Sequence, residues 1–184
     1  MKPTILFAMI AALAAPVAAQ AEAYIGANAG RAEQKVEVSG ISFKENDTGF
    51  KLYGGYNFNQ NFGIEGGFAD LGDAKRSANN ASISSKAQSI YVAATGILPL
   101  NDQFALFGKA GVATTHVKLK ASAPGIAASA SDNHASPFVG VGASFALNKN
   151  VSFVAEYEYF GKIAKDGDDS IKANMISAGV RYSF

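Results

Sequence analysis

An all-β fold, an eight-stranded antiparallel up-and-down transmembrane barrel, is what the sequence predicts, and three observations carry it. Apolar and small or polar residues alternate with period two through segments that fill most of residues 22–184, which argues for strands with two unlike faces. The connections between those segments are short and long in strict alternation, as in a meander with tight turns at one end and long loops at the other. No second apolar run of roughly 18 residues follows the N-terminal one, so a bilayer would be crossed by strands and not by helices.

At the N-terminus, Met1-Lys2 gives a short positive start and Ile5 to Ala19 an uncharged apolar run. Ala19-Gln20-Ala21 then has the small-x-small form that signal peptidase cuts. Residues 1–21 are therefore expected to be a cleaved secretory signal peptide, with Ala21-Glu22-Ala23 offering a second cut after Ala23, and 22–184 to be the barrel domain. The run is shorter than the roughly 20 residues of a spanning helix. Removing Lys2 turns the sixteen basic residues into fifteen, equal to the fifteen acidic ones. That neutrality disfavours a nucleic-acid binder. Zero cysteines exclude disulfides, thiolate metal sites, a cysteine nucleophile and the lipid-bearing cysteine of a lipoprotein.

The first strand is expected at 23–30, followed by a long connection, 31–47. The second, 48–58, turns through Asn59-Gln60-Asn61 into the third, 62–71. A long connection, 72–85, leads to the fourth, 86–98, and Pro99 to Gln103 turn into the fifth, 104–115. The next connection, 116–135, precedes the sixth strand, 136–147. Asn148-Lys149-Asn150 turn into the seventh, 151–160, and 161–171 leads to the eighth, 172–184. Most of these reach the about 9–11 residues of a tilted transmembrane strand. The short connections are expected to be periplasmic turns and the four long ones extracellular loops.

Alternation alone does not separate this barrel from a soluble ligand carrier, which turns its apolar face inward. In the seventh strand Phe153, Ala155, Tyr157 and Tyr159 share one face and Ser152, Val154, Glu156 and Glu158 the other. Three features favour the membrane. Phe58, Phe62, Phe104, Phe145 and Phe153 cluster beside the short turns, as an interfacial girdle would. The inward face is crowded with Gly26, Gly55, Gly63, Gly67, Gly111, Gly140, Gly142 and Gly179, where an apolar ligand cavity would want large side chains. Closure also satisfies every backbone group in lipid and removes the sheet edges.

The last strand alternates through Ile176, Ala178, Val180 and Tyr182 to a terminal Phe184. Val180, Tyr182 and Phe184 resemble the C-terminal signal that assembly machinery reads in outer-membrane barrels. With Tyr24-Ile25-Gly26-Ala27, Tyr53-Gly54-Gly55-Tyr56, Gly63 to Phe68 with Leu71-Gly72, Ser136-Pro137 and Gly179-Val180, the chain resembles the membrane domain of the OmpA family. The resemblance implies the outer membrane of a Gram-negative bacterium and contact with outer-membrane lipid including lipopolysaccharide. It also implies barrel-assembly machinery and periplasmic chaperones during biogenesis, host or phage ligands at the surface, and a monomer. Because the chain stops at Phe184, the family's peptidoglycan-binding periplasmic domain is expected to be absent.

The alternation turns Lys51, Glu65, Lys109, Glu156, Glu158 and Arg181 inward, with Asn28, Thr95, Ser144 and Ser177. An eight-stranded interior is just wide enough to be filled by side chains, so these charges must pair or meet trapped water. The resembled family has a buried acid–base cluster that plugs the barrel and has been read as a gate. Glu65 and Lys109 stand at two of its positions and Thr95, Ser144 and Val154 at others. The expectation is a structural polar plug in which Glu65 pairs with Lys109, and not a complete switching cluster.

Small outer-membrane barrels that act on lipid A need a His with Ser and an acid near the lipid boundary. His116 and His134 lie near Ser122, Ser129, Ser131, Ser136 and Asp132, but the stretch Ala121 to Asn133 reads as a solvated loop of small residues. Two histidines without ligand spacing do not make a metal site. Asp166-Gly167-Asp168-Asp169 lacks the spacing of a calcium loop. No catalysis and no cofactor are expected. The long connections carry mixed charge, including Arg31, Glu33, Lys35, Glu37, Lys44, Glu45 and Asp47 in the first and Asp73, Lys75 and Arg76 in the second, with no polybasic run. The expected role is structural and surface-interacting through the loops. A narrow channel for ions or small solutes is the alternative, and a lipid A-modifying enzyme a remote one.

Overall fold

The computed structural model describes the backbone of residues 22–38, 41–78, 81–123, 126–166 and 169–184, with side chains at 22–35, 46–72, 86–117, 133–162 and 172–184. The signal segment 1–21 lies outside the described residues. Eight strands follow one another: β1 (Glu22–Val38), β2 (Ile41–Asn57), β3 (Phe62–Ala78), β4 (Ala81–Pro99), β5 (Phe104–Ala123), β6 (Ile126–Ala146), β7 (Val151–Asp166) and β8 (Asp169–Ser183). Each pairs antiparallel with its sequence neighbour, and β8 returns to β1, closing the barrel.

Alternation along each strand produces an inside-out molecule. Leu52, Ile90, Val141 and Ile176 are each more than 60% exposed on the outer wall, while Lys51 and Glu65 inside are 1% exposed. A soluble carrier would show the reverse. The apolar exterior is the surface that hydrocarbon covers without cost, and ring closure leaves no unpaired strand edge within it. The glycines of the inward face make room for rings: a Cβ on Gly55 would lie 2.3 Å from the Tyr24 ring, and one on Gly142 would lie 2.4 Å from that of Phe107.

The three short turns share one chemistry. Asn59 Oδ1 accepts from the backbone N–H of Asn61 at 2.8 Å and of Phe62 at 2.9 Å. Asn101 does the same for Gln103 and Phe104, and Asn148 for Asn150 and Val151. The signature is apolar-Asn-x-(Asn or Gln)-apolar at 58–62, 100–104 and 147–151, an asparagine whose side chain replaces a backbone acceptor in the turn.

At the other end the strands run further than the sequence suggested. Residues expected in long loops, from Arg31 to Asp47 and from His116 to Ala135, are largely strand, because the ladder of each hairpin continues past the apolar belt. The barrel does not continue with them. The β2–β3 ladder ends at Phe50–Asp70 and the β6–β7 ladder at Val139–Tyr159, whereas the hairpin pairs run on. Beyond those points the molecule is two four-stranded sheets, β7–β8–β1–β2 and β3–β4–β5–β6.

A bulge marks each separation. Gly72 (φ 81°) and Gly161 (φ 72°) occupy the left-handed region that disfavours a Cβ, and the register shifts beside each. Opposite the second, Pro137 sits on β6 just past the last β6–β7 pair, where a strand that has become an edge tolerates a missing N–H.

A charged cluster across the lumen

Six charged side chains from five strands meet inside the barrel. β2 supplies Lys51, β3 Glu65, β5 Lys109, β7 Glu156 and Glu158, and β8 Arg181. Lys109 Nζ lies 2.6 Å from Glu65 Oε1, 2.5 Å from Glu156 Oε2 and 3.4 Å from Glu158 Oε1. Lys51 Nζ bonds Glu156 and stands 2.7 Å from Glu158 Oε1. Arg181 Nη2 approaches Glu65 Oε2 at 3.7 Å. The side chains of the two lysines and three glutamates have no solvent exposure, and that of Arg181 has 11%. Three cations thus meet three carboxylates, which lets the charges share one low-dielectric interior.

Neutral groups add to the coordination, although Glu158 Oε2 and Arg181 Nε stay buried without a hydrogen-bond partner. Tyr24 Oη donates to Glu65 at 3.1 Å and Tyr91 Oη donates to it at 2.7 Å. Asn28 Nδ2 donates to Glu156 at 2.5 Å. The Arg181 guanidinium lies 4.4 Å from the Tyr24 ring centroid, and the Lys51 ammonium 4.6 Å from that of Tyr53, both cation–π distances. Thr95 and Ser177 are buried on the same inner face, and Ser144 half-buried.

The sequence reading placed Glu65 and Lys109 together but left the cluster incomplete at Thr95, Ser144 and Val154. The structure brings Lys51, Glu156, Glu158 and Arg181 into the same network instead, so the charge that Val154 lacks stands two and four residues further along β7. A second layer escaped sequence reasoning altogether. On the hairpin side of the charges, Tyr91 stacks on Phe138 with centroids 4.4 Å apart, and Phe160 packs at 5.2 Å from Phe138. Leu71, Val117 and Met175 are buried with them. The signal was present: the inward parity that selects Glu156 and Glu158 also selects Phe160, and that of Gly140 and Gly142 selects Phe138.

The other candidates lie apart from the cluster. His116 Nδ1 is 2.7 Å from Asn133 Oδ1 on the outer wall, and Ser136 Oγ donates to the Phe160 carbonyl at 2.5 Å. The side chains of Ser122, Ser129, Ser131, Asp132 and the Asp166–Asp169 tip lie outside the described residues. Val180, Tyr182 and Phe184 are exposed on the outer wall, with the Tyr182 and Phe184 rings edge to face at 5.2 Å. A depression of about 510 Å³ on that wall has Ala143, Ala155 and Ala178 between Phe145, Phe153 and Val180.

The chain matches proteins of known location. Outer membrane protein A of Serratia marcescens is 32% identical over 136 residues, 71% of this chain and 37% of that protein. The Shigella flexneri protein of the same name is 27% identical over 143 residues, 76% of this chain and 41% of its own length. The chain thus spans about two fifths of the curated relatives it matches. Among solved structures, the attachment invasion locus protein Ail of Yersinia pestis, in complex with the heparin analogue sucrose octasulfate, has 27% identity and a TM-score of 0.61, covering 87% of this chain and 99% of that one. Neisserial surface protein A shares the fold, with a TM-score of 0.64 at 21% identity over 90% of this chain and 100% of that one. The profile of the family described as outer membrane protein beta-barrel domain matches residues 5–184. Inside-out barrel, closed eight-strand topology and whole-length match agree: this chain is a Gram-negative outer-membrane protein and belongs to the outer membrane protein β-barrel domain family.

Proposed function

We propose that the protein is a non-catalytic, non-conducting scaffold that anchors itself in the outer membrane and presents its hairpins to ligands at the cell surface. The single observation that carries this reading is the filled lumen. Five fully buried charged side chains and a stacked aromatic layer occupy the space a solute would cross, leaving the hairpin sheets as the surface free to act. The Glu65–Lys109 cluster is in this reading a structural plug tying β2, β3, β5, β7 and β8 together. Residues 1–21 would serve as the cleaved export signal, and Val180, Tyr182 and Phe184 as the outward row recognised during assembly. The likeness to Ail, which was crystallised with a heparin analogue, supports surface ligands that include sulfated glycans. Adhesion of cells carrying the intact barrel, compared with cells carrying one whose hairpins are shortened to tight turns, tests the proposal on immobilised heparin and on host-cell layers. Loss of adhesion with the shortened hairpins is expected, and equal adhesion of the two strains would contradict it.

A further inference from the structure

The charges of the lumen are not equally well coordinated. Glu65 accepts from Tyr24, Tyr91 and Lys109, and Glu156 from Asn28, Lys51 and Lys109. Arg181 is left over. The residue is 9% exposed, and its Nε donates to none of the described residues. The carboxylate oxygen it approaches, Glu65 Oε2, stands 3.7 Å from Nη2, beyond hydrogen-bond reach. Rings surround it instead: the guanidinium carbon lies 4.4 Å from the Tyr24 centroid, 5.3 Å from that of Phe107 and 5.7 Å from that of Tyr53. Ring contacts of this kind satisfy the charge and leave the N–H donors in need of acceptors. A buried donor without an acceptor is unfavourable, and more so on a cation. A second unused donor stands beside it. The Tyr53 hydroxyl is buried without a partner and lies 2.5 Å from where a Cβ on Gly26 would be, and Gly26 pairs with Arg181 across β1 and β8.

Both donors lie toward the periplasmic end of the lumen. Arg181 is near the end of β8 and pairs with Ser152, which follows the last short turn. The inward residues at that end, Asn57, Ser152 and Ser183, are polar and half-buried, whereas on the hairpin side Leu71, Phe138, Phe160 and Met175 are fully buried. The route to Arg181 is therefore from the periplasm. We propose that this mouth binds an oxyanion, a phosphate or carboxylate group whose oxygens accept from the Arg181 guanidinium and the Tyr53 hydroxyl. The planar fork of an arginine matches paired oxygens, which a halide lacks. Glu65 opposes such a ligand, but its charge is already met by Lys109 and by two tyrosine hydroxyls. The site lies beneath the charged cluster and needs no passage through it.

The inference is independent of what the hairpins bind. Its test is titration of the refolded full chain in detergent micelles with inorganic phosphate, with acetate, and with chloride at matched ionic strength. The readout is the arginine Nε–H resonance of an isotope-labelled sample. The chain has three arginines, so the Arg181 signal is assigned by elimination with Arg31→Lys and Arg76→Lys. A saturable shift with phosphate or acetate and none with chloride is expected, and the tighter of the two oxyanions identifies the ligand group as phosphoryl or carboxyl. Tyr53→Phe removes a hydroxyl that bonds none of the described residues and is expected to weaken the titration about tenfold, the worth of one hydrogen bond to a charged group. An equal shift with chloride, no saturable shift with either oxyanion, or an undiminished Tyr53→Phe would overturn the proposal and leave Arg181 a structural cation held by its rings. Heat-modifiable electrophoretic mobility reports folding. Should Tyr53→Phe not fold, Ser152→Leu, beside Arg181 in the mouth, is expected to weaken binding severalfold, and no change would count against the site.

Discussion

Lys109 is the cation at the centre of the lumen network, since three carboxylates converge on its ammonium. Replacing it by alanine leaves those acids with Lys51 and Arg181 only, and removing one partner from a buried ion pair typically costs about 3–5 kcal/mol. Urea unfolding of Lys109→Ala from lipid vesicles measures that loss, and an unchanged midpoint would mean the charges are solvated. On the outer wall, Tyr157 lies about halfway up the apolar belt, between Ala155 and Tyr159 on its strand. Tyr157→Arg is expected to cost roughly 2–4 kcal/mol in the same experiment, because an arginine there meets hydrocarbon. Which face each residue takes was legible from alternation alone, Glu156 against Tyr157 being an example. Which residues meet was legible only for Glu65 with Lys109. Lys51 and Glu156 are separated by 105 positions, and their contact exists only once the ring has closed.

Turns and bulges set the shape of each hairpin. The asparagine turns were readable as short, polar connections, although their repeated side-chain acceptor emerged only from the coordinates. Strand length was less readable, because the stretch Ala121 to Asn133 is built of alanine and serine and offers no apolar alternation to mark strand. Its ladder is instead held by backbone pairing with the neighbouring strand of its hairpin. The bulge glycines had no sequence signal beyond being glycine. Gly161→Ala is predicted to destabilise by about 1–3 kcal/mol, since the left-handed backbone disfavours a Cβ that would also lie 2.7 Å from the Pro137 carbonyl. The same unfolding assay reads this change. A neutral result would mean that β7 relaxes out of the bulge without loss.

At the scale of the whole molecule, 48% hydrophobic and 17% charged residues describe an ordinary soluble protein, and the arrangement contradicts the composition. Apolar side chains clothe the outside, where lipid replaces a protein core, and charges neutralise one another within. Ion-paired side chains cross the middle of the barrel and stacked rings lie on their hairpin side, and in the proposed function each closes the lumen. Two closures in series give a direct test of the central claim. Planar-bilayer recording of the refolded chain is predicted to show a baseline without discrete openings, and that silence is expected to persist in Lys109→Ala because the Tyr91–Phe138–Phe160 layer remains. Stable single-channel steps from the unmodified protein would contradict the account.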